Sequence, residues 1–125
     1  MIVSLNPECV LTANHRYHWA AKARLTKALR TRGVMAWRLA GSPQYDRARL
    51  VVALGYPDRR HRDAANLHPT IKALIDGMVH PAPGVRGVLH DDSDDYLVGP
   101  DLRPGPVTPG RYTFTFDFTE ETHHA

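Results

Sequence analysis

Apolar and polar residues alternate most cleanly near the end of the chain. Tyr112, Phe114, Phe116 and Phe118 fall on one side there, and Thr113, Thr115 and Asp117 on the other. This period of two predicts a strand over 111–118. A second strand is predicted over 47–56, where Ala48, Leu50, Val52, Leu54 and Tyr56 share a face. Val51 and Ala53 take the opposite face, so both sides of this strand are expected to be partly covered, and Pro57 closes it. Ile2 to Leu5 reads as a short strand ended by Asn6 and Pro7, and Tyr96 to Val98 as another. The period changes to a helical one at Tyr17, Ala21, Leu25, Ala28 and Leu29. A helix near 15–32 follows, capped by Thr12 or Asn14 and interrupted at Gly33. Residues 34–40 fit a resumed helix or a strand. The same period returns at Ile71, Leu74, Ile75, Met78 and Val79. That predicts a helix over 66–79 with Asn66 as its cap and Pro69 in its first turn, where a missing N–H costs little. Residues 41–44, 80–87 and 99–110 are rich in Gly and Pro and read as loops, and the polar end 120–125 is expected to fray.

These elements make an α/β protein: a small mixed β-sheet packed with two main helices, in one domain spanning 1–125. A chain of 125 residues suits one domain and buries roughly two-thirds of its unfolded surface without staples. Cys9 is the only cysteine, which excludes an intramolecular disulfide and a thiolate metal cage and fits a reducing cytoplasm. The first residues lack the basic and apolar regions of a signal peptide, and no apolar run reaches membrane-spanning length. Formal net charge is +3 and the isoelectric point about 9.3, a balance compatible with nucleic acid.

The chemistry concentrates between Arg59 and Asp95. Arg59, Arg60 and Arg62 lead, Asp63 follows, the second helix carries Lys72, and Asp91, Asp92, Asp94 and Asp95 precede the next strand. Carboxylates on neighbouring elements are the usual way to hold a hard cation, and arginines crowding them suit a polyanionic substrate. Taken singly, each Asp suits a cap or turn, and each of His61, His68 and His90 suits the surface; His61 and His90 also suit proton transfer. On the first helix Arg16, Lys22, Lys27 and Arg30, with Trp19 among them, form either a solvated face or a phosphate-tracking stripe with one stacking aromatic. No zinc spacing, phosphate-binding loop or nucleophile elbow is present.

The order of basic run, Asp63, Asn66, a helix bearing KALID (Lys72 to Asp76), and Asp91-Asp92 ahead of a strand resembles the RusA-type Holliday junction resolvases, phage and prophage versions above all. The likeness covers roughly residues 50–118. It implies a RusA-like fold and a homodimer whose paired sites cut two strands of branched double-stranded DNA in the cytoplasm of a bacterial or phage-infected host cell. The implied reaction is Mg²⁺-dependent phosphodiester hydrolysis, with Mn²⁺ as the other metal. Asp63, Asp91 and Asp92 would hold the metal, with Asp63, Asp92 and Lys72 catalytic. Arg59, Arg60, Arg62, Lys22, Lys27 and Arg30 would grip DNA. The chain departs from the family in two places. The family has two aspartates one residue apart before its Asn, and Ala65 stands in the second position here. Lys72 lies three residues later than the family spacing from Asn66. Anchoring on Lys72 instead puts Asn66 and His68 at the two aspartate positions, as possible ligand substitutes. A non-catalytic junction-binding or DNA-binding protein of the same fold, which has lost a metal ligand, is the alternative.

Overall fold

The computed structural model describes residues 1–121. Four strands, β1 (Ile2–Leu5), β2 (Ala48–Gly55), β3 (Leu97–Pro104) and β4 (Tyr112–Glu120), form one sheet in the order β1-β4-β2-β3. β4 pairs antiparallel with both β1 and β2, while β3 runs parallel to β2, so the sheet is mixed as expected. The helices are α1 (Trp19–Leu39) and α2 (His68–Val79), with short 3₁₀ turns at Pro7–Cys9 and Ala64–Leu67.

The alternating pattern of β4 meets that of β2 across the ladder: Phe118 opposes Leu50, Phe116 opposes Val52 and Phe114 opposes Leu54. Val3 and Leu5 of β1 continue this face, and Ile71, Leu74, Ile75, Met78 and Val79 of α2 complete the core. The opposite face is half-buried at Val51, Ala53, Thr113 and Thr115 and exposed at Arg49, Asp117 and Thr119.

Five expectations are corrected. α1 begins at Trp19, not near His15, and its cap is His18, whose Nδ1 accepts the Ala20 N–H at 3.2 Å. Thr12 and Asn14 are committed elsewhere: Thr12 N–H donates to the Tyr17 hydroxyl, and Asn14 N–H to Asn66 Oδ1. Gly33 does not interrupt α1, which runs on to Leu39. A Cβ at Gly33 would lie 2.1 Å from the Leu74 carbonyl oxygen, and one at Gly77 2.0 Å from that of Arg30. The two glycines therefore let α1 and α2 cross with their backbones in contact. Of the proposed apolar face of α1 only Leu29 is buried; Tyr17, Ala21 and Leu25 are half-buried and Ala28 is exposed.

Asn66 does not cap α2. Asp63 caps the preceding 3₁₀ turn by accepting the Ala65 N–H at 3.0 Å, and α2 starts at His68 with Pro69 in its first turn. Asn66 instead ties this turn to the segment before α1, its carbonyl accepting the Ala13 N–H. Finally, β3 continues well past Val98, through Pro100 to Pro104, where a loop was expected. Gly99 makes this possible: it adopts φ 106°, and a Cβ there would lie 2.7 Å from the Leu50 carbonyl oxygen. At the other end, Glu120 belongs to β4 and Glu121 N–H donates to the Arg47 carbonyl. The rest of the end expected to fray lies outside the described residues.

Candidate functional site

The parallel pairing of β2 with β3 lets α2 run back between them, so that α2 lies beside β3 and the acidic turn that leads into it. Between them lies a cleft of about 250 Å³ lined by His68, Ile71, Lys72, Ile75, Asp92, Leu97, Gly99 and Pro100. Its floor is apolar because Ile71, Ile75 and Leu97 belong to the core. The polar groups stand at its margin. Lys72 Nζ lies 3.4 Å from Asp92 Oδ2 and 3.6 Å from Asp76 Oδ1, one helical turn further along α2. Asp76 in turn receives Arg30 of α1 at 3.6 Å. A chain of alternating charges, Arg30, Asp76, Lys72 and Asp92, thus links both helices to the acidic turn.

The charges tune one another. Asp76 first, and then Asp92, raise the Lys72 pKa above the ordinary lysine range, against the opposing effect of burial. Burial pushes the Asp92 carboxyl up, but the Lys72 ammonium, with hydrogen bonds from Lys72 and Asp91, more than offsets it, and the net shift is downward. The acidic turn is held from the sheet side by Arg47, whose Nη1 donates to the carbonyls of Asp94 and Asp95 at 2.8 and 2.9 Å. Asp91 faces His80 at 3.7 Å.

Asp63 is not brought to this cleft. It lines a separate hollow of about 520 Å³ with Ala13, Asn14, His61, Arg62, Ala65 and Asn66. The expected convergence of Asp63 with Asp91 and Asp92 on one rim therefore does not occur, because the 3₁₀ turn Ala64–Leu67 intervenes before α2 and Asp63 is used as its cap. Among the described residues, no three His, Cys, Asp or Glu side chains stand close enough together to hold a metal ion. Of the two proposed ligand substitutes, His68 lines the cleft with Lys72 and Asp92, while Asn66 lines the hollow with Asp63.

The arginines divide as well. Arg62 is a structural fork. Its Nη1 and Nη2 donate to the two oxygens of Asp58 at 2.6 and 3.0 Å, and its guanidinium lies 5.2 Å from the Tyr56 ring centre and 5.9 Å from that of Tyr112. Hydrogen bonds from Arg62 first, and from Arg60 next, hold the Asp58 carboxyl far below its ordinary value. Burial, followed by the neighbouring Tyr112, raises the Tyr56 hydroxyl. Arg60 also reaches Asp58 but stays largely exposed, and Arg59 is exposed. Arg59 and Arg60 remain accessible to a polyanion; Arg62 serves the fold.

Asp76 and Arg47 escaped the sequence reading. Asp76 was legible as the i+4 partner of Lys72. Arg47 carried no signal, since its partners are backbone carbonyls of a turn distant in sequence.

No protein-family model matches the chain, and no curated protein matches it. No helix among the described residues is long and apolar enough to cross a membrane.

Proposed function

We propose that this chain is a metal-dependent endodeoxyribonuclease that acts on branched DNA, four-way junctions included, with the cleft between α2 and β3 as its reaction centre. The observation that carries this reading is the Lys72 ammonium, poised against Asp92 in the cleft that also takes His68. The exposed Arg59 and Arg60 lie a few residues ahead of α2. The likeness to RusA-type resolvases points to the same lysine and the same late aspartate.

The donors suit a hard cation held openly rather than in a closed cage. Mg²⁺ commonly binds through one or two carboxylates, with water and substrate phosphate completing its shell. Asp92 would supply the main carboxylate, with Asp91 beside it. When bound, such a metal neutralises phosphate charge and activates water. Lys72 would leave Asp92 for a non-bridging phosphate oxygen, acting as a point charge on a flexible stem. Asp76 would keep that stem from swinging away. Arg59 and Arg60 would hold the backbone on either side without reading sequence. Paired cuts require two sites, and the exposed Ile2, Met35 and Leu39 around the edge strand β1 suit a homodimer. The setting would be the cytoplasm of a bacterial or phage-infected host cell.

A second reading, a junction-binding protein without catalysis, is favoured by Ala65 and by the engagement of Asp63, Asp91 and Asp92 with a backbone amide, His80 and Lys72. Single-turnover cleavage of a four-way junction, measured beside binding with and without Mg²⁺ or Mn²⁺, separates the two. Metal-dependent nicking supports the enzyme; tight binding with intact strands under every metal supports the binder.

A further inference from the structure

The first half of α1 is unlike the rest of the molecule. Between Trp19 and Ala28 no residue is buried; the first buried position is Leu29, just before the crossing with α2 at Gly33 and Gly77. This half of the helix is a surface arm, half-buried at Ala20, Ala21, Leu25 and Thr26 and exposed at its other positions. It carries Lys22, Arg24 and Lys27, and α1 as a whole contains no carboxylate. Among the described residues, none of these three cations has an ion-pair partner, in contrast to Arg30, which is tied to Asp76. At the free tip stands Trp19, 77% exposed. An indole left in water beside unpaired cations costs solvation and contributes little to this fold, whose core closes without it.

We infer that this surface arm binds unpaired, single-stranded nucleic acid, with Trp19 stacking on a base and Lys22, Arg24 and Lys27 following the phosphates. The inference rests on the nucleic-acid reading above and narrows it to the unpaired nucleotides that a branched substrate exposes. Charge selects the partner class: an arm with cations and no carboxylate repels a basic surface and attracts a polyanion. The indole selects the strand. In duplex DNA the base faces are stacked on each other, whereas an unpaired base offers its face to an aromatic ring, whatever its identity. The arm also lies within reach of the hollow around Asp63. Asn14 lines that hollow, and the five residue steps from Asn14 to Trp19 span at most roughly 18 Å. One strand could therefore touch both.

Trp37, the other tryptophan, makes the test clean. It is 5% exposed and its Nε1 donates to the Pro43 carbonyl at 2.8 Å, so a change in emission on binding reports Trp19. The full chain is titrated in EDTA with a thymidine oligomer of roughly 12 nucleotides, within the usual range of single-strand site sizes, and with a blunt duplex of the same length. Emission is expected to fall with the single strand and to change little with the duplex. Trp19→Phe should remove the signal yet keep affinity within about threefold, whereas Trp19→Ala and Trp19→Leu should each lose about tenfold for the single strand, the scale of one base–aromatic stack. Duplex affinity should stay within about twofold in all three variants. Unquenched emission, an unimpaired Trp19→Ala, or equal behaviour of Trp19→Leu and Trp19→Phe would overturn the inference. So would sedimentation showing that Trp19→Ala dissociates a self-associated form, since the tip would then be a contact between copies. If junctions are bound and cut while Trp19 stays silent, the inference falls alone; if no nucleic acid binds, the proposed function falls with it. Quenching without cleavage leaves the inference standing and removes the enzyme.

Discussion

Lys72 and Asp92 lie twenty positions apart in sequence, and their side chains meet at 3.4 Å across the gap between α2 and the turn before β3. The contact joins the two polar elements of the cleft. Lys72→Ala should leave stability within roughly 0.5 kcal/mol of the parent, because the side chain is more than half exposed. Junction affinity should be nearly unchanged, losing at most one phosphate contact from the salt slope. The single-turnover cleavage rate should fall by about 10²-fold or more, the scale of one preorganised charge-stabilising group. A rate within a fewfold of the parent would remove Lys72 from the chemistry.

The same pair predicts an asymmetric response to pH. The folded Asp92 carboxyl lies below its unfolded value, so its contribution is complete above the ordinary aspartate range near 3.9 and is lost as pH falls through the lower folded value. The folded Lys72 lies above its ordinary value near 10.4, so its contribution is complete below that pH and fades as pH rises through the folded value. In EDTA, Asp92→Asn should therefore lower the melting temperature near neutrality and lessen its decline below about pH 4. Adding millimolar Mg²⁺ or Mn²⁺ should raise the melting temperature of the parent and of Asp63→Asn, but not of Asp92→Asn. An equal rise in all three proteins would place the metal elsewhere.

The basic run should separate into two classes. Arg59→Ala and Arg60→Ala should weaken binding to junction and duplex alike and flatten the salt dependence by about one unit each. Arg62→Ala should instead lower the melting temperature by more than an ordinary surface change, since it removes a bidentate partner of Asp58 and the cation between Tyr56 and Tyr112. Arg62→Lys should not restore it, because an ammonium cannot reproduce the fork. Thermal melts beside salt-titrated binding distinguish the classes; identical behaviour of all three variants would make the cluster uniform.

What the sequence made legible was what one element can declare alone. The phenylalanines of β4, the even positions of β2 and the apolar stripe of α2 each announced their buried face by period, and the mixed α/β sheet followed. The boundaries that failed depended on partners distant in sequence. Asn14 and Asn66 are good caps by type, yet they bind each other's segments, so His18 and Asp63 take the capping positions. Lys72 and the Asp91-Asp92 turn were visible as charge. That Asp63 would be turned into a different hollow was not, because a 3₁₀ turn of four residues leaves no periodic mark.

Gly33 shows how a local rule inverts in context. Helix propensity alone makes Gly→Ala in α1 favourable by about 1 kcal/mol. The added Cβ would sit 2.1 Å from the Leu74 carbonyl oxygen, and at Gly77 the equivalent distance to the Arg30 carbonyl is 2.0 Å. Backbone must move in either case. Gly33→Ala and Gly77→Ala should each destabilise by about 1–3 kcal/mol, the usual cost of overpacking, measurable as a lower urea midpoint at unchanged m-value. A gain in stability would mean that the helices do not touch at these positions.

Thr70 supplies the most deeply buried polar side-chain contact among the described residues. It is fully buried, and its hydroxyl accepts the Leu11 N–H at 2.8 Å while donating to the Leu11 carbonyl at 2.7 Å. Both backbone groups of one residue are thereby satisfied by a single side chain, as neighbouring strands satisfy each other. The contact ties the segment before α1 to the first turn of α2, and so holds the hollow around Asp63 beside the cleft around Lys72. Thr70→Val keeps the shape and removes both bonds. It leaves a buried N–H and a buried C=O without partners, at about 1–3 kcal/mol for each orphaned group. Thr70→Ser keeps the hydroxyl and loses one methyl, at about 1 kcal/mol. The expected order of urea midpoints is parent, then Thr70→Ser, then Thr70→Val, with amide hydrogen exchange at Leu11 accelerated only in the valine variant. A valine variant as stable as the serine one, with Leu11 still protected, would show that other groups hold this junction.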